Sequence, residues 1–475
     1  MKHESLPFAK LSDPQVAMSE RLPLPRLIAW MALAAGLAVL VLQPLPEGES
    51  RALALAVAAI GLWGTSVIPE PVTAVFFFTA AMLLKVAPAS VVFGGFESAA
   101  LWLIFGGLIM GVAVRSTGLG ERIATRLGRA FGASYWGVIT GVTLVGVTMG
   151  FLMPSSMGRA ILLMPIALSL AARYGFKPGS KGHLGVILAA AFGCHVPTFS
   201  VLPANVPNLV LVGAAETLWH YTPSYGQYLL LHFPVLGLLK TAVMIPLIVK
   251  LWPDTPKPMA GDARDHGAMK AGERQLALLL GLALVLWSTD FLHHVSPAWV
   301  SMAAGAILLL PVVGLVDGKA FAEKINYGSL FYVAGIMGLG ALVNQSGLGA
   351  RLAEAILAVL PLAPGHAVTN FVSLATISSL VSVLTTLPGA PAVLTPLAGE
   401  MARASGLPIE AVLMSQVLGF SNPIFPYESA PLVVAMQLGG ERLGPAQTLC
   451  LLLAAVTVLV LLPLDFLWWR LLGWI

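Results

Sequence analysis

Long apolar runs constrain this chain more than any other feature of its sequence. Runs of about 17 to 25 mainly apolar residues recur from Leu27 to the C-terminus, and each is long enough to cross a hydrocarbon core of roughly 30 Å. Hydrophobic residues make up 57% of the chain and charged residues 10%, against about 25% charge in soluble domains. We therefore expect an all-α polytopic membrane protein.

The apolar runs predict about 11 transmembrane helices and two re-entrant hairpins. The predicted spans are 27–45, 52–69, 72–89, 99–115, 184–214, 228–251, 275–292, 297–316, 328–344, 411–437 and 446–472. Segments 136–172 and 368–400 are interrupted by MPSSMG and TTLPG, so each is predicted to fold back as a hairpin. Spans 184–214 and 411–437 are predicted to be broken helices that face the hairpins.

The distribution of positive charge predicts the orientation. With a cytoplasmic N-terminal segment (1–26) and a cytoplasmic linker (252–274), the predicted loops place 19 Lys and Arg residues inside and five outside. Cytoplasmic loops are enriched in Lys and Arg, so we expect a cytoplasmic N-terminus in a bacterial inner membrane. No small-residue cleavage site follows the first apolar run, which is therefore predicted to be a retained span.

An internal repeat divides the chain into two halves, 27–251 and 275–475. LWLIFGGLIMGVAVRSTGLGERIA (101–124) matches LFYVAGIMGLGALVNQSGLGARLA (330–353) at a fixed shift of 229, with nine of 24 positions identical. The copies end on opposite faces in the charge-derived layout, so the repeats are predicted to be inverted. Inverted repeats whose helices are broken at corresponding places are typical of secondary transporters with a site near the middle of the bilayer.

Several other functions are disfavoured. The net charge of +4 is explained by cytoplasmic loops, so we expect no nucleic-acid partner. Cys194 and Cys450 lack metal-ligand spacing, so no disulfide or zinc site is expected. The glycines of TGLG and SGLG are predicted to permit tight turns or close packing, since no GxxxxGK[ST] motif occurs. An intramembrane enzyme using Ser155 or Ser156 with His195 is a remote alternative, because GxSxG and HExxH are absent.

Four segments resemble the divalent anion/sodium symporters, which carry dicarboxylates, citrate or sulfate. They are LWGTSVIPEPVTA (62–74), VFGGFESAALWLIFGGLIMGVAVRSTGLGERIA (92–124), MPIA (164–167) and VPNLVLVGAAE (206–216). The resemblance extends over nearly the whole chain after Leu27. It implies a homodimer in the lipid bilayer, in which a transport domain moves against a scaffold domain like an elevator.

The resemblance also implies a binding site. The family has Ser-Asn-Thr at each hairpin tip and Pro-Pro-Asn in the facing broken helix. The matching residues here are Ser155-Ser156-Met157, Thr386-Leu387-Pro388, Val206-Pro207-Asn208 and Ala430-Pro431-Leu432. Both tips lack the Asn, which disfavours sodium as the coupling ion. A bound sodium ion would be expected near Ser155, Asn208, Thr386 and Ser429.

Elementary chemistry points to the same tips. A re-entrant tip frees backbone groups that lipid cannot satisfy, and helix N-termini favour anions. Hydroxyl groups at the tips either bind the ligand or cap their own helices. The predicted substrate-binding residues are Ser155, Ser156, Met157, Arg159, Asn205, Pro207, Asn208, Thr385, Thr386, Leu387, Asn422, Ser429 and Pro431.

Arg159 is the most informative of these residues. An Arg in the middle of an apolar segment costs about 2.5 to 3.5 kcal/mol on insertion scales, so another interaction must offset it. We expect its guanidinium either to bind the anion or to stand permanently where relatives bind a sodium ion. A structural ion pair or a side chain that reaches the interface is the alternative.

Two further residues are predicted to couple protons. Glu428 lies in the second broken helix, where burial favours the neutral, protonated carboxyl, and His195 lies in the first. We therefore predict a secondary active transporter of small anions (di- or tricarboxylates or sulfate), coupled to protons, sodium or counter-anion exchange. The alternatives are a conventional sodium-coupled dicarboxylate symporter and, as a third possibility, a channel. No cofactor is expected other than Na⁺ or H⁺ as the coupling ion.

Overall fold

The computed structural model describes residues 23–65, 67–123, 134–153, 155–257 and 267–475. These residues form helices and contain no β-strand, which confirms the predicted fold class. Nine of the described helices are long and apolar enough to cross a membrane, and several shorter apolar helices accompany them. Residues 1–22 of the predicted N-terminal segment and residues 258–266 of the predicted linker lie outside the described residues.

The helices of the first half lie close to the predicted spans. They are Pro23–Leu42, Glu47–Thr65, Glu70–Leu83, Ala99–Thr117, Tyr135–Leu152, Ser156–Arg173, Lys181–Gly193, Val206–Trp219 and Tyr225–Leu251. Those of the second half are Ala271–Ser288, Pro297–Leu309, Tyr327–Gln345, Leu348–Leu357, Ala367–Thr385, Gly389–Leu394, Ala398–Ser405, Ile409–Phe420, Ala430–Leu438 and Leu443–Leu471.

The predicted breaks are present in both halves. The first hairpin consists of Tyr135–Leu152 and Ser156–Arg173, and the second consists of Ala367–Thr385 and the arm 389–405. The first broken helix stops at Gly193 and resumes at Val206. The second broken helix stops at Phe420 and resumes at Ala430. Each break therefore exposes backbone groups that a continuous helix would have paired.

Two helices were missing from the prediction because they are too short to span a bilayer. Gly318–Lys324 and Leu348–Leu357 lie in segments between the predicted spans. The second of these helices is amphipathic: Leu348 is buried, whereas Arg351 on the opposite face is exposed and pairs with Glu49. Such a pattern stabilises a helix at a protein surface but gives no long apolar run.

The internal repeat appears as two equivalent helices with equivalent ends. Ala99–Thr117 is followed by Gly118 with φ of +81°, and Tyr327–Gln345 is followed, after Ser346, by Gly347 with φ of +84°. Only glycine adopts this left-handed conformation without strain. The TGLG and SGLG motifs therefore make matching turns, as predicted from the sequence.

The two halves interlock through the glycines of the repeat. A Cβ atom on Gly106 would overlap the carbonyl of Ser301 in Pro297–Leu309, a helix of the second half. A Cβ atom on Gly335 would lie 2.8 Å from the Cβ of Ala74 in Glu70–Leu83, a helix of the first half. Each repeat therefore packs its glycine-bearing helix against a helix of the other repeat.

This packing predicts a position-dependent cost for adding a methyl group. Gly106→Ala should lower the free energy of unfolding by about 1 to 3 kcal/mol, because the overlap forces the two backbones apart. Gly281→Ala is the matched control: nothing lies within 4 Å of its Cβ, so this change should be neutral or stabilise the helix by up to about 1 kcal/mol. Thermal unfolding in detergent compares the two variants. Equal unfolding midpoints would contradict the close packing of Gly106 against the other half.

Candidate functional site

A cavity of about 230 Å³ lies where both hairpins and both broken helices meet. Residues from all four of these elements border it, together with residues of helices outside this group. The predicted site residues at its border are Ser155, Ser156, Met157, His195, Pro207, Thr386, Leu387, Glu428, Ser429 and Pro431. Those that do not border it are Arg159, Asn205, Asn208, Thr385 and Asn422.

The first hairpin tip presents a helix N-terminus to the cavity. Ser155 caps the helix that begins at Ser156, because its Oγ accepts a hydrogen bond from the Gly158 amide at 3.1 Å. Ser156 has partners in two elements: its hydroxyl donates to the Asn205 side chain and accepts from Arg159 of its own helix. The Ser155 hydroxyl thus caps its helix, and the Ser156 hydroxyl links that helix to the first broken helix.

The second hairpin tip has a different backbone. Thr386 has φ of +146°, a conformation that favours glycine and strains a β-branched residue. The Leu387 amide donates to the Glu428 carbonyl at 3.2 Å, which ties this tip to the second broken helix. The Thr385 hydroxyl bonds back to the Val381 carbonyl at 2.7 Å, as the capping alternative predicts, and does not reach the cavity.

A hydrogen bond joins the two broken helices across the pseudo-symmetric centre. Nε2 of His195, from the first break, lies 2.6 Å from Oγ of Ser429, from the second. Both residues are buried and both border the cavity. The two halves therefore share one site.

Arg159 is fully buried behind the first tip. Its Nε donates to the Cys194 carbonyl at 2.9 Å, and Nη1 donates to the carbonyls of Met153 and Ala204. Nη2 lies within hydrogen-bond distance of the side chains of Ser156, Thr198 and Asn205. The guanidinium is thus surrounded by oxygen atoms of the tip and the broken helix, and it has no carboxylate partner among the described residues.

The three predicted Asn residues lie behind the cavity wall. Asn205 binds Arg159 and Thr198, and Asn208 donates to the carbonyls of Phe199 and Val201 at 3.0 and 2.9 Å. Asn422 accepts from Lys240 at 3.1 Å. Each amide satisfies backbone or side-chain groups that a break leaves unpaired.

Glu428 is buried and its two oxygens differ. Oε1 accepts from the amides of Ile424 and Phe425 at 2.9 and 2.7 Å. Oε2 has no hydrogen-bond partner among the described residues. One oxygen thus holds the second broken helix in shape, while the other is available to a proton.

Part of the cavity border was not predicted from the sequence. The cavity is also bordered from four helices that carry no break, by Trp63, Glu70, Ile104, Leu108, Ser329 and Tyr332, and by Asn326 at the start of one of them. The internal repeat contains Ile104, Leu108 and Tyr332 but gives no sign that they reach the cavity. Their position follows only from the packing of Glu47–Thr65, Glu70–Leu83, Ala99–Thr117 and Tyr327–Gln345 around the tips.

Two buried charges were also missed, although a signal for them exists. Lys240 is 1% exposed and Asp465 is fully buried. Both lie inside apolar runs, where a charge is costly, so the criterion that singled out Arg159 applies to them as well.

Helix N-termini supply the positive charge at the border of the cavity. No Lys or Arg is among the described residues at its border, which include Glu70 and Glu428. The helices Ser156–Arg173, Val206–Trp219 and Ala430–Leu438 begin at the cavity, and each N-terminus carries a partial positive charge. Such N-termini, with hydroxyl donors beside them, suit oxyanions.

The family is shown by sequence comparison. The family model described as the sodium:sulfate symporter transmembrane region matches residues 25–475. The chain belongs to this family. The resemblance found in the sequence is thereby confirmed, and the protein is an integral membrane transporter of anions and not an enzyme.

Curated relatives of this family member are distant. A membrane protein of Cupriavidus necator is 25% identical over 95% of each chain. An uncharacterized transporter of Haemophilus influenzae is 24% identical over 94% of each chain. The L-tartrate/succinate antiporter of Escherichia coli is 26% identical, covering 65% of this chain and 64% of the antiporter.

Solved structures show the same fold in other transporters. The YdaH transporter of Alcanivorax borkumensis superimposes with a TM-score of 0.57 at 19% identity, covering 83% of this chain and 90% of that one. Neisseria gonorrhoeae MtrF, from a class of antimetabolite efflux pumps, gives a TM-score of 0.52 at 14% identity, covering 86% and 85%. At these identities the likeness concerns the fold alone.

Proposed function

We propose that this protein carries small dicarboxylates without sodium, by anion exchange or proton coupling. The observation that carries the proposal is the set of hydrogen bonds around Arg159. Freed carbonyls at a hairpin tip and a broken helix are the groups that hold a cation in such carriers. Here Arg159 already donates to the carbonyls of Met153, Cys194 and Ala204, so a sodium ion does not fit at this position.

The substrate class follows from the cavity. Helix N-termini and hydroxyl groups bind carboxylate oxygens as well as sulfate oxygens. A volume of about 230 Å³ accepts a four-carbon dicarboxylate together with several water molecules of about 30 Å³ each. A relative that is an L-tartrate/succinate antiporter supports the choice of dicarboxylates and of exchange.

Sodium replacement tests the coupling. Proteoliposomes loaded with succinate should take up labelled succinate equally fast when external and internal sodium is replaced by choline, because the fixed guanidinium supplies the positive charge. Loss of uptake in choline would instead establish a conventional sodium-coupled symporter, and uptake that never runs uphill with any driving gradient would indicate a channel.

Substitution of Arg159 tests the residue itself. Arg159→Ala should lower exchange at least about tenfold, since hydrogen bonds to a charged group contribute about 1.5 to 3 kcal/mol each. Arg159→Lys should also be impaired, because an ammonium lacks the planar fork that reaches both the first hairpin tip and the first broken helix. Arg351→Ala, which removes an exposed Arg paired with Glu49, is the control. Near-normal exchange by both Arg159 variants would refute the assignment.

We further propose alternating access by an elevator-like movement. The cavity is bordered by the hairpins and broken helices together with helices without breaks, so movement of the first group against the second would carry the substrate across the bilayer. Bridging Met157→Cys to Leu108→Cys with a bifunctional thiol reagent should stop exchange, while each single variant should exchange at the same rate with and without the reagent. The native Cys194 and Cys450 are buried and give little background. Full activity of the bridged protein would exclude this movement.

Assembly and orientation complete the proposal. We infer a homodimer in a bacterial inner membrane with a cytoplasmic N-terminus, on the family resemblance and on the Lys and Arg bias of the loops. Light scattering of the purified protein measures the first property. Reporter fusions to alternate loops measure the second.

Glu428 is proposed to bind a coupling proton. It borders the cavity, is buried, and keeps Oε2 without a protein partner among the described residues. Glu428→Gln keeps the shape and can still accept from the Ile424 and Phe425 amides. This variant should therefore retain succinate exchange but lose accumulation driven by a pH gradient. Unchanged pH-driven accumulation would refute the role. His195, bonded to Ser429, is the second proposed proton carrier.

A further inference from the structure

A second pair of buried charges lies behind the second broken helix. Lys240 of helix Tyr225–Leu251 and Asp465 of helix Leu443–Leu471 are 1% and 0% exposed. Nζ of Lys240 donates to the Ser421 carbonyl and to the Asn422 side chain, both at 3.1 Å. The lysine thus contacts the break of the second broken helix directly.

Asp465 has an unusual environment for a buried carboxylate. Neither of its oxygens has a hydrogen-bond partner among the described residues. Its charge interacts with that of Lys240, but the two groups form no direct salt bridge. A buried structural ion pair is stable only with close contact and satisfied oxygens, so a purely structural role does not explain this arrangement.

Other buried polar atoms without partners lie on the same two helices. Both ring nitrogens of His232 and Nε1 of Trp469 lack a hydrogen-bond partner among the described residues. The two rings lie 5.8 Å apart at the interface of the helices that carry Lys240 and Asp465. Buried polar atoms are nearly always hydrogen-bonded, and exceptions require a functional or solvent partner.

Both helices depart from α-helical geometry next to the charges. The described residues contain two π-helical segments, Phe233–Leu239 and Thr457–Leu461. Lys240 follows the first segment immediately, and Asp465 lies four residues after the second. π-helical segments are rare and occur frequently at functional sites.

The pair is connected to the cavity. Lys240 donates to Ser421 and Asn422, which lie in the same break as Glu428 at the cavity border. Gln447 of helix Leu443–Leu471 donates to the Ile424 carbonyl at 3.1 Å, next to the amide that binds Glu428. Lys240 and the helix that carries Asp465 therefore contact the same segment, 421–429, that holds Glu428.

Lys240 also occupies a position equivalent to that of Arg159. The first halves of the broken helices end at Gly193 and Phe420, and the next carbonyl in each, of Cys194 or Ser421, accepts from one of the two cations. Arginine keeps its proton under all ordinary conditions, whereas a buried lysine can release it. The two broken helices therefore have different cations at equivalent carbonyls, a permanent one and a titratable one.

We propose that Lys240 and Asp465 form a second proton-binding site, which takes up one proton when a dianion enters the cavity. The proton comes from water on the side of entry and returns to water on the other side, and no other bond forms or breaks. The inference deepens the proposed function and rests on it only in assuming that the cargo is an anion.

The titratable groups around this site are few. His232 and Lys240 lie on one of its helices, Cys450 and Asp465 on the other, and Glu428 in the second broken helix. The helix Lys181–Gly193, which packs against Tyr225–Leu251, adds Lys181 and His183, and His183 pairs with Glu441. The neighbouring helices Tyr135–Leu152 and Ala367–Thr385 contain no Lys, Arg, His, Asp or Glu. A proton that binds here has no other ionisable acceptor on those sides.

Infrared difference spectroscopy of the purified protein tests the site without any substrate. Spectra are recorded between about pH 5 and about pH 9, the range in which buried lysines and carboxyl groups titrate. In a Glu428→Gln background, which removes the carboxyl proposed to bind the first proton, we expect a protonated-carboxyl band that disappears in Asp465→Asn and shifts in Lys240→Met. The control Asp317→Asn should retain the band, because Asp317 caps the short helix Gly318–Lys324 and Asn caps equally well. An unchanged band in Asp465→Asn would overturn the proposal.

A double variant covers the case in which single variants do not fold. Removing one member of a buried pair is strongly destabilising, whereas replacing both by apolar residues is often tolerated. Lys240→Met combined with Asp465→Leu should lack the band and should move fewer protons per succinate exchanged, measured with a pH dye inside proteoliposomes. An unchanged proton-to-succinate ratio would overturn the inference. Absence of succinate exchange in the unaltered protein would refute the proposed substrate class instead. The proton-binding site would then be tested by the infrared spectra alone, because they need no substrate.

Discussion

The guanidinium of Arg159 is the contact on which the architecture of the first half depends. Interrupting two helices inside a bilayer leaves carbonyl groups that lipid cannot satisfy. One planar, permanently charged side chain joins three of them, at Met153, Cys194 and Ala204, and also binds the Thr198 and Asn205 side chains. The cost of burying the charge and the cost of the unpaired carbonyls therefore offset each other. The hairpin tip and the broken helix are held together as one unit whether or not the cavity contains a ligand.

The second half solves the same problem with different chemistry. Its tip is joined to the broken helix by the Leu387 amide and the Glu428 carbonyl, and by the Tyr427 hydroxyl, which donates to the Val383 carbonyl. The cation at its broken helix is Lys240, from helix Tyr225–Leu251 of the first half. The two broken helices thus have similar backbones but different cations, an arginine at one and a lysine at the other.

Sequence reasoning located the elements better than the side-chain contacts, for physical reasons. Apolar run length and matched interruptions are properties of local sequence, so the spans, the hairpins and the breaks at 153–158 and 385–389 were predictable. Whether Arg159 faces the cavity or the carbonyls behind it depends on the approach of Cys194 and Ala204, which lie 35 and 45 residues further along the chain. The wall around Tyr332 and Ser329 likewise depends on packing between the halves. Lys240 and Asp465 could have been predicted, because each places a charge inside an apolar run. They were overlooked because that criterion was applied only to Arg159.

The interlocked glycines have a consequence for how the protein is made. Gly106 is closely packed only when Pro297–Leu309 is present, and that helix is synthesised about 190 residues later. The first half therefore leaves the ribosome with the Gly106 face of its helix uncovered, and that face is packed only after Pro297–Leu309 has been synthesised. Neither half can reach its final packing alone, so insertion into the bilayer and completion of the tertiary structure are separated in time. During that interval lipid or the insertion machinery covers the glycine-bearing face of the first half.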